Sequence, residues 1–294
     1  MTDQAWLAER FEADRPRLRG VAYRMLGSVT EADDAVQEAW IRLSRTDTSD
    51  VDNLRAWLTT VVGRVCLNML RSRRTRRESS LDTHLPDPIV SPESGPDPEQ
   101  EALLGDAVGL AMLVVLDSLK PAERISFVLH DVFGVPFEEI APIVGRTTLA
   151  ARQLASRARR RVHGAPAPDI ELDGQWAVAD AFLAAARDGD FERLLAVLDP
   201  DVVVRSDGGV ARPELVSLVR GARAVAEQAM LFRRFAETAT RVLVNGIPGG
   251  VAWTPDGNPF AVLALTVEGG RIVEIDVLAD PDRLAGLDLT EVGG

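Results

Sequence analysis

A chain of 294 residues is longer than one ordinary domain, and 46% apolar side chains are enough to fill more than one core. Its formal charge of −12 argues against a uniformly polyanion-binding surface, the single cysteine excludes an internal disulfide, and three dispersed histidines (His84, His130, His163) offer no metal-ligand spacing. No apolar run reaches the roughly 20 residues of a membrane span and the start of the chain lacks the parts of a secretory signal, so a cytoplasmic protein with no membrane partner, no metal and no cofactor is expected.

From Ala5 to about Arg77 apolar residues recur at helical spacing, as in Val21, Met25 and Leu26, then Ala35, Val36, Ala39, Trp40 and Leu43, then Trp57 through Leu67. This predicts an all-helical domain over 1–77, with Thr30 capping a second helix that runs to about Arg45. Residues 78–101 hold seven acids, five prolines and no Lys or Arg, which predicts an acidic linker without regular helix or core.

Helical periodicity resumes over 102–163, where Val135 to Val162 has the pattern of a helix-turn-helix. Phe137, Ile140, Ala141 and Val144 face inward on its first helix, Gly145 supplies the turn, and Leu149, Leu154 and Ala158 are the expected inward face of the second. A second linker is expected over 164–173, and then an α+β domain over 174–294. That domain has helices around Trp176–Arg187 and Phe191–Leu198, strands at Asp201–Ser206, Thr240–Val244, Gly250–Thr254, Phe260–Glu268 and Arg271–Leu278, and a hairpin turn at Gly269-Gly270.

The charge is unevenly placed. Residues 1–163 carry 22 basic and 24 acidic side chains, whereas residues 164–294 carry 11 and 21, so the acidity belongs to the C-terminal part. Arginines cluster at Arg71, Arg73, Arg74, Arg76 and Arg77 and again at Arg152, Arg157, Arg159, Arg160 and Arg161. A helix-turn-helix places the start of its second helix in the major groove, which nominates Thr148, Arg152 and Gln153 for base edges and Arg146 and Arg157 for phosphates. Taken alone, Arg159–Arg161 serves equally as a cationic helix terminus.

Arg64, Asn68, Arg71 and Arg74 project from one helical face near Asn53 and Trp57, a set suited to a single strand with an extruded base. Asp33, Gln37 and Trp40 share one side of the preceding helix, with Asp34 and Glu38 beside them; an acidic-polar ridge with an aromatic suits a protein partner.

Residues 5–163 resemble an extracytoplasmic-function (ECF) sigma factor. Arg24-Met-Leu-Gly-Ser with Glu31-Ala-Asp-Asp-Ala-Val-Gln-Glu-Ala-Trp resembles the polymerase-binding helices of region two, and Leu54-Arg-Ala-Trp-Leu through Arg71 the part that melts and reads the minus-ten element. Leu119-Lys-Pro-Ala-Glu-Arg plus the helix-turn-helix resembles region four, which reads the minus-thirty-five element in duplex DNA. The resemblance implies that Asp34, Gln37, Glu38 and Trp40 face core RNA polymerase, Asn68 and Arg71 the melted promoter strand, and Arg152 and Gln153 the upstream element.

The remainder is similar to the SnoaL-like cone of the SigJ-like ECF subgroup. Asp207-Gly208-Gly209 is similar to its DGGGK motif, although Val210 and Ala211 follow directly. Leu85-Pro86-Asp87-Pro88 is similar to its WLPEP-type linker, without the Trp, and Asp280-Pro281-Asp282-Arg283-Leu284 to its terminal NPDKL. This implies a multidomain fold of two all-α sigma domains and an α+β cone that regulates them in cis.

Two other functions stay open: a helix-turn-helix regulator that does not bind polymerase, and a ligand-binding or isomerase-like enzyme with a DNA-binding front end. For the latter, Asp207 or Asp276 in the cone cavity would be the acid or base, although residues 164–294 contain no His, Cys or Tyr, and no catalytic residue is assigned. A small apolar ligand in the cone is a further expected partner.

Overall fold

The structure, a computed structural model, describes residues 3–46, 53–76, 84–104, 110–164, 166–169 and 171–292, leaving aside the side chains of 3–5, 74–76, 99 and 102. Two units emerge, Met1–Ser79 with Glu101–Gly105 and Val115–Gly164, and Ser80–Gln100 with Asp106–Val114 and Ala165–Gly294.

In the first unit, α1 (Asp3–Leu26), α2 (Val29–Leu43) and α3 (Leu54–Arg76) pack on one another through Phe11, Leu18, Met25, Val36, Leu58 and Val62. Ser28, not Thr30, caps α2, its hydroxyl accepting from Glu31 N–H; Thr30 lies one residue inside the helix. Next come α4 (Pro98–Leu104) and α5 (Leu110–Ser118), each with residues in both units, then α6 (Pro121–Phe127), a π-helical turn at Val128–Val132, α7 (Phe137–Val144) and α8 (Thr148–Val162).

The helix-turn-helix is α7 and α8, joined at Gly145, whose φ of 69° only a residue without Cβ adopts cheaply. Thr147 caps α8, accepting from Ala150 N–H. The inward face of α8 is Ala151, Ala155 and Ala158, and Leu149 is 67% exposed, contrary to expectation. Alanines at that spacing let α8 lie close against α6, which turns position 149 outward. α7 also packs on α3: a Cβ at Gly63 would sit 3.4 Å from the Ile143 side chain.

The second unit is a seven-stranded sheet in the order β1-β4-β5-β6-β7-β2-β3. Its strands are β1 (Val90–Pro92), β2 (Leu198–Asp207), β3 (Ser217–Arg220), β4 (Thr240–Val244), β5 (Ile247–Trp253), β6 (Pro259–Glu268) and β7 (Arg271–Leu278), and among the described residues only the β2–β7 pair is parallel. Helices α9 (Leu172–Asp188), α10 (Phe191–Val197), α11 (Ala222–Leu231) and α12 (Arg233–Ala236) pack on it, and a short α13 (Pro281–Leu284) follows β7. Trp176, Phe182, Leu194, Val225, Leu265 and Ile275 belong to the shared core.

Two expected linkers are built into this unit. Within 78–101, predicted to hold no regular structure, β1 adds an edge strand to β4, the helix α4 begins, and Leu85, Ile89 and Val90 are buried. Proline runs are compatible with this because Pro92 ends an edge strand, where its missing N–H costs no ladder bond. Within 164–173, Asp169 accepts from the N–H groups of Gly269 and Gly270, and its own N–H donates to Val267 O.

Asn245-Gly246 turns β4 into β5, both residues at positive φ as a primed hairpin requires. Asn245 is also fully buried and exchanges bonds with the residue that precedes β1: its Oδ1 accepts from Ile89 N–H at 3.1 Å and its N–H donates to Ile89 O at 2.8 Å. Asn245→Gly, which keeps the turn but loses the acceptor, is expected to lower the urea-unfolding free energy by about 1 kcal/mol. Asn245→Ala is expected to cost about 1 kcal/mol more, because alanine must also adopt the left-handed backbone.

Candidate nucleic-acid interface and regulatory site

α3 presents Arg64, Asn68 and Arg71 exposed on one face, as their spacing dictates. Arg74 follows on the same helix with its side chain outside the described residues, as does Arg77 entirely. Asn53 is exposed at the entry and has a structural task, its Oδ1 accepting from Ala56 N–H at 3.0 Å to cap the helix. Arg73, from the same basic cluster, is bound internally: Nε donates to Glu31 at 3.0 Å and Nη1 to Leu26 O at 2.8 Å, tying α3 to both preceding helices.

On α2, Asp33, Asp34 and Gln37 are exposed. Asp33 accepts from Arg19 on α1, Glu38 pairs with Arg42, and Trp40 is half-buried with its ring centroid 5.0 Å from that of Phe11. The ridge is therefore acidic at its exposed crest and aromatic at its flank.

On α8, Arg152, Gln153 and Arg157 are exposed, Thr148 is half-buried at the start of the helix, and Arg146 is exposed in the turn. The Arg152 guanidinium lies 5.6 Å from the Phe137 ring centroid, which restrains it at the start of α8. Arg159 and Arg161 are engaged within the unit by Asp131 and Glu123, so the basic run is only partly available for DNA.

The three motifs quoted for the C-terminal part meet at one carboxylate. Asp207, at the end of β2, accepts at Oδ2 from Leu85 N–H at 3.0 Å and from Arg283 Nη1 at 2.7 Å, with His84 Nδ1 at 3.2 Å. Its Oδ1 accepts from Gly209 N–H at 3.1 Å and its backbone O from Ala279 N–H at 2.7 Å. Arg283 completes the set, donating to Asp87 Oδ1 at 2.7 Å and to Leu85 O.

The glycines are steric requirements: a Cβ at Gly208 would collide with Arg212 O, and one at Gly209 with the Asp280 carboxylate. Asp280 in turn caps α13, accepting from Asp282 N–H at 3.0 Å, which aims Arg283 at Asp207. Pro281 starts the helix and Leu284 is buried beneath it. Burial alone would raise the Asp207 carboxyl; the hydrogen bonds from His84 and Leu85 and the charge of Arg283 override it and hold the carboxyl at about 2.

Between the sheet and its helices lies an apolar cavity of about 370 Å3. Neither carboxylate nominated for acid-base chemistry lines it. Val204 and Ser206 of β2 and Ile275 and Val277 of β7 face it, so strand alternation sends Arg205, Asp207, Glu274 and Asp276 to the other face. There Arg205 donates to Asp276 at 2.7 Å and also to Glu274. Burial, with the neighbouring Glu274 charge, pushes the Asp276 carboxyl up to about 7.

Sequence reasoning missed Asn245 and Arg212. The first stands in an Asn-Gly pair between apolar runs, a hairpin signal in its own right. Arg212 has no such signal; its Nη1 donates to Phe260 O at 2.8 Å and Ala279 O at 2.9 Å, partners 48 and 67 residues away. Among the described residues no group of His, Cys, Asp or Glu could hold a metal ion, and no helix is long and apolar enough to cross a membrane.

Residues 10–76 match the Sigma-70 region 2 family and residues 110–162 the Sigma-70 region 4 family. The chain is 38% identical to the ECF RNA polymerase sigma factor SigJ of Mycobacterium tuberculosis, over 96% of this chain and 94% of the relative. It is 39% identical to the probable ECF RNA polymerase sigma factor SigI of the same species, over 97% and 96%. The crystal structure of M. tuberculosis SigJ superposes with a TM-score of 0.79 at 36% identity, covering 96% of this chain and all of that one.

Because Asp207 is held below its ordinary 3.8, its ionised form favours the folded state; that contribution is complete above about pH 4 and lost as pH falls towards 2. Asp207→Asn is expected to lower the urea-unfolding free energy of the full chain by about 2 kcal/mol at pH 6, with the difference from the parent closing by pH 2. Arg283→Met, which removes the guanidinium shared by Asp207 and Asp87, is expected to cost about 2–4 kcal/mol in the same measurement.

Proposed function

The chain belongs to the ECF RNA polymerase sigma factors, and from that premise we propose that its first unit binds core RNA polymerase and promoter DNA while its second restrains that activity by holding the connection between the two DNA-binding parts. The crest of Asp33, Asp34 and Gln37 with Glu38 and Trp40 is the polymerase contact. Arg64, Asn68, Arg71 and Arg74 with Asn53 meet the melted strand through phosphate and base-edge contacts. Thr148, Arg152 and Gln153 read the upstream element in the major groove, with Arg146 and Arg157 on phosphates. The protein works where polymerase works, in the cytoplasm.

The observation that carries the regulatory part is the convergence of Leu85, Asp87 and Arg283 on Asp207. As an extended chain, the 24 residues of 78–101 could reach about 80 Å. Residues 84–92 instead give their backbone groups to Asp207, Asn245 and β4, so the separation of the two DNA-reading parts is restricted. Packing of α7 on α3 supports the same restraint from within the first unit. No catalytic step is assigned to the second unit, whose candidate carboxylates are engaged by arginines on the face away from the cavity.

Promoter-directed transcription with purified core polymerase tests both parts on the full chain. Arg152→Ala and Gln153→Ala are each expected to weaken promoter binding about tenfold, from the loss of one base-edge contact. Arg71→Ala is expected to reduce strand opening more than duplex binding. Arg283→Met is expected to raise transcript yield at limiting polymerase. Unchanged yield with full retention of fold would remove the restraint from the proposal, and failure of the parent chain to initiate from any promoter would remove the whole of it.

A further inference from the structure

None of the residues assigned above to polymerase or DNA lines the cavity of the second unit, yet it has the features of a ligand site. Its volume of about 370 Å3 lies within the usual range of small-molecule sites, roughly 300–1,000 Å3. Its wall is almost wholly apolar and includes the rings of Phe182, Phe232, Phe235 and Phe260, the last two stacked 3.7 Å apart and within 3° of parallel. Among the described residues no Lys or Arg lines it, and the one acid in the wall, Glu214, is exposed, so an anionic ligand finds no counter-ion there.

One polar group in the wall is unsatisfied. Gln228 of α11 donates weakly through Nε2 to Ser217 Oγ at 3.4 Å, but its Oε1 is shielded from solvent and has no hydrogen-bond partner among the described residues. A buried acceptor without a donor is costly, and a turn of the Gln228 side chain towards the cavity it lines would let a ligand hydroxyl relieve that cost. We propose that this cavity binds a neutral, largely aromatic molecule of two or three rings carrying a hydroxyl, with the rings against Phe182, Phe235 and Phe260 and the hydroxyl donating to Gln228.

Occupancy has a direct route to the restraint on the 84–92 segment; this half of the inference rests on the function proposed above. Phe260 and Ala279 are cavity wall, and both their carbonyls accept from Arg212, whose guanidinium also lies 4.7 Å from the Phe260 ring centroid. Arg212 N–H donates to Gly208 O, and Ala279 N–H to Asp207 O. A ring pressed on Phe260 therefore shifts the backbone that positions the carboxylate holding Leu85 and Arg283.

The test titrates the full chain with 9-phenanthrol, followed by probe fluorescence, and with phenanthrene, which lacks the hydroxyl. Saturable binding of one phenanthrol per chain, with Kd on the order of 10 μM, is expected, and about tenfold weaker binding of phenanthrene. Gln228→Leu should abolish that tenfold preference while retaining both ligands. Ala229→Phe should fill the cavity and exclude both.

No saturable binding, or binding that neither variant alters, overturns the site. Hydrogen exchange at the Leu85 and Ala279 amides, both donors to Asp207, reads the coupling without any polymerase. A change on adding phenanthrol supports it, and binding with unchanged exchange overturns the coupling while leaving the site.

Discussion

An ionised carboxylate removed from water must be matched by donors, and at Asp207 those donors come from two distant stretches of chain, Leu85 with His84 and Arg283, and from Gly209 two residues on. Much of the second unit follows from that need. The planar guanidinium of Arg283 can serve Asp207, Asp87 and Leu85 O together because its donors are fixed in a fork, which a lysine could not imitate. Gly208 and Gly209 are there because the loop after Asp207 passes too close to Arg212 and Asp280 for any side chain. The proline-rich segment 84–92 is held in the sheet by the Asp87–Arg283 ion pair and backbone bonds together with a few buried apolar residues.

The arginines of the first unit divide by the same logic of satisfaction. Arg24 and Arg124 are buried: Arg24 donates to Leu103 O, and Arg124 to Asp117 and to Arg24 O, which locks α6 to α1. Arg73, Arg159 and Arg161 are bound to acids on neighbouring elements. Among the exposed arginines, Arg64 and Arg71 on α3 and Arg146, Arg152 and Arg157 around α8 form two groups on an otherwise acidic chain. Local positive patches of this kind suffice for phosphate contact even where net charge is negative, since screening confines each interaction to about 8–10 Å.

The sheet carries two different chemistries because adjacent residues on a strand point to opposite faces. Val204 and Ser206 belong to the cavity, while Arg205 and Asp207 belong to the charged network, one residue out of step. That alternation lets one strand end connect an apolar chamber to an ionic latch without either being wetted by the other. Arg212 makes the connection mechanical, since it bonds the carbonyls of two cavity-wall residues and touches the ring of one.

Short-range pattern was sufficient for α1 to α3, the helix-turn-helix with its Gly145 turn, and five of the strands, because periodicity and turn chemistry are local properties. The motif residues Asp207, Gly208, Gly209 and Asp280–Leu284 were also recognisable, as was Leu85–Pro88. Their meeting was not, since Arg283 and Asp87 lie 196 residues apart and only the β2–β7 pairing and the α13 cap bring them together. Likewise β1 is three residues of an apparently structureless run, a strand only because β4 supplies the partner it cannot encode alone. Leu149 turned outward because alanines won the contact with α6, and Asp276 left the cavity because strand parity is set by register. Composition and spacing thus determined which elements form and which residue types were present for chemistry; long-range pairing alone decided which of those residues share a site.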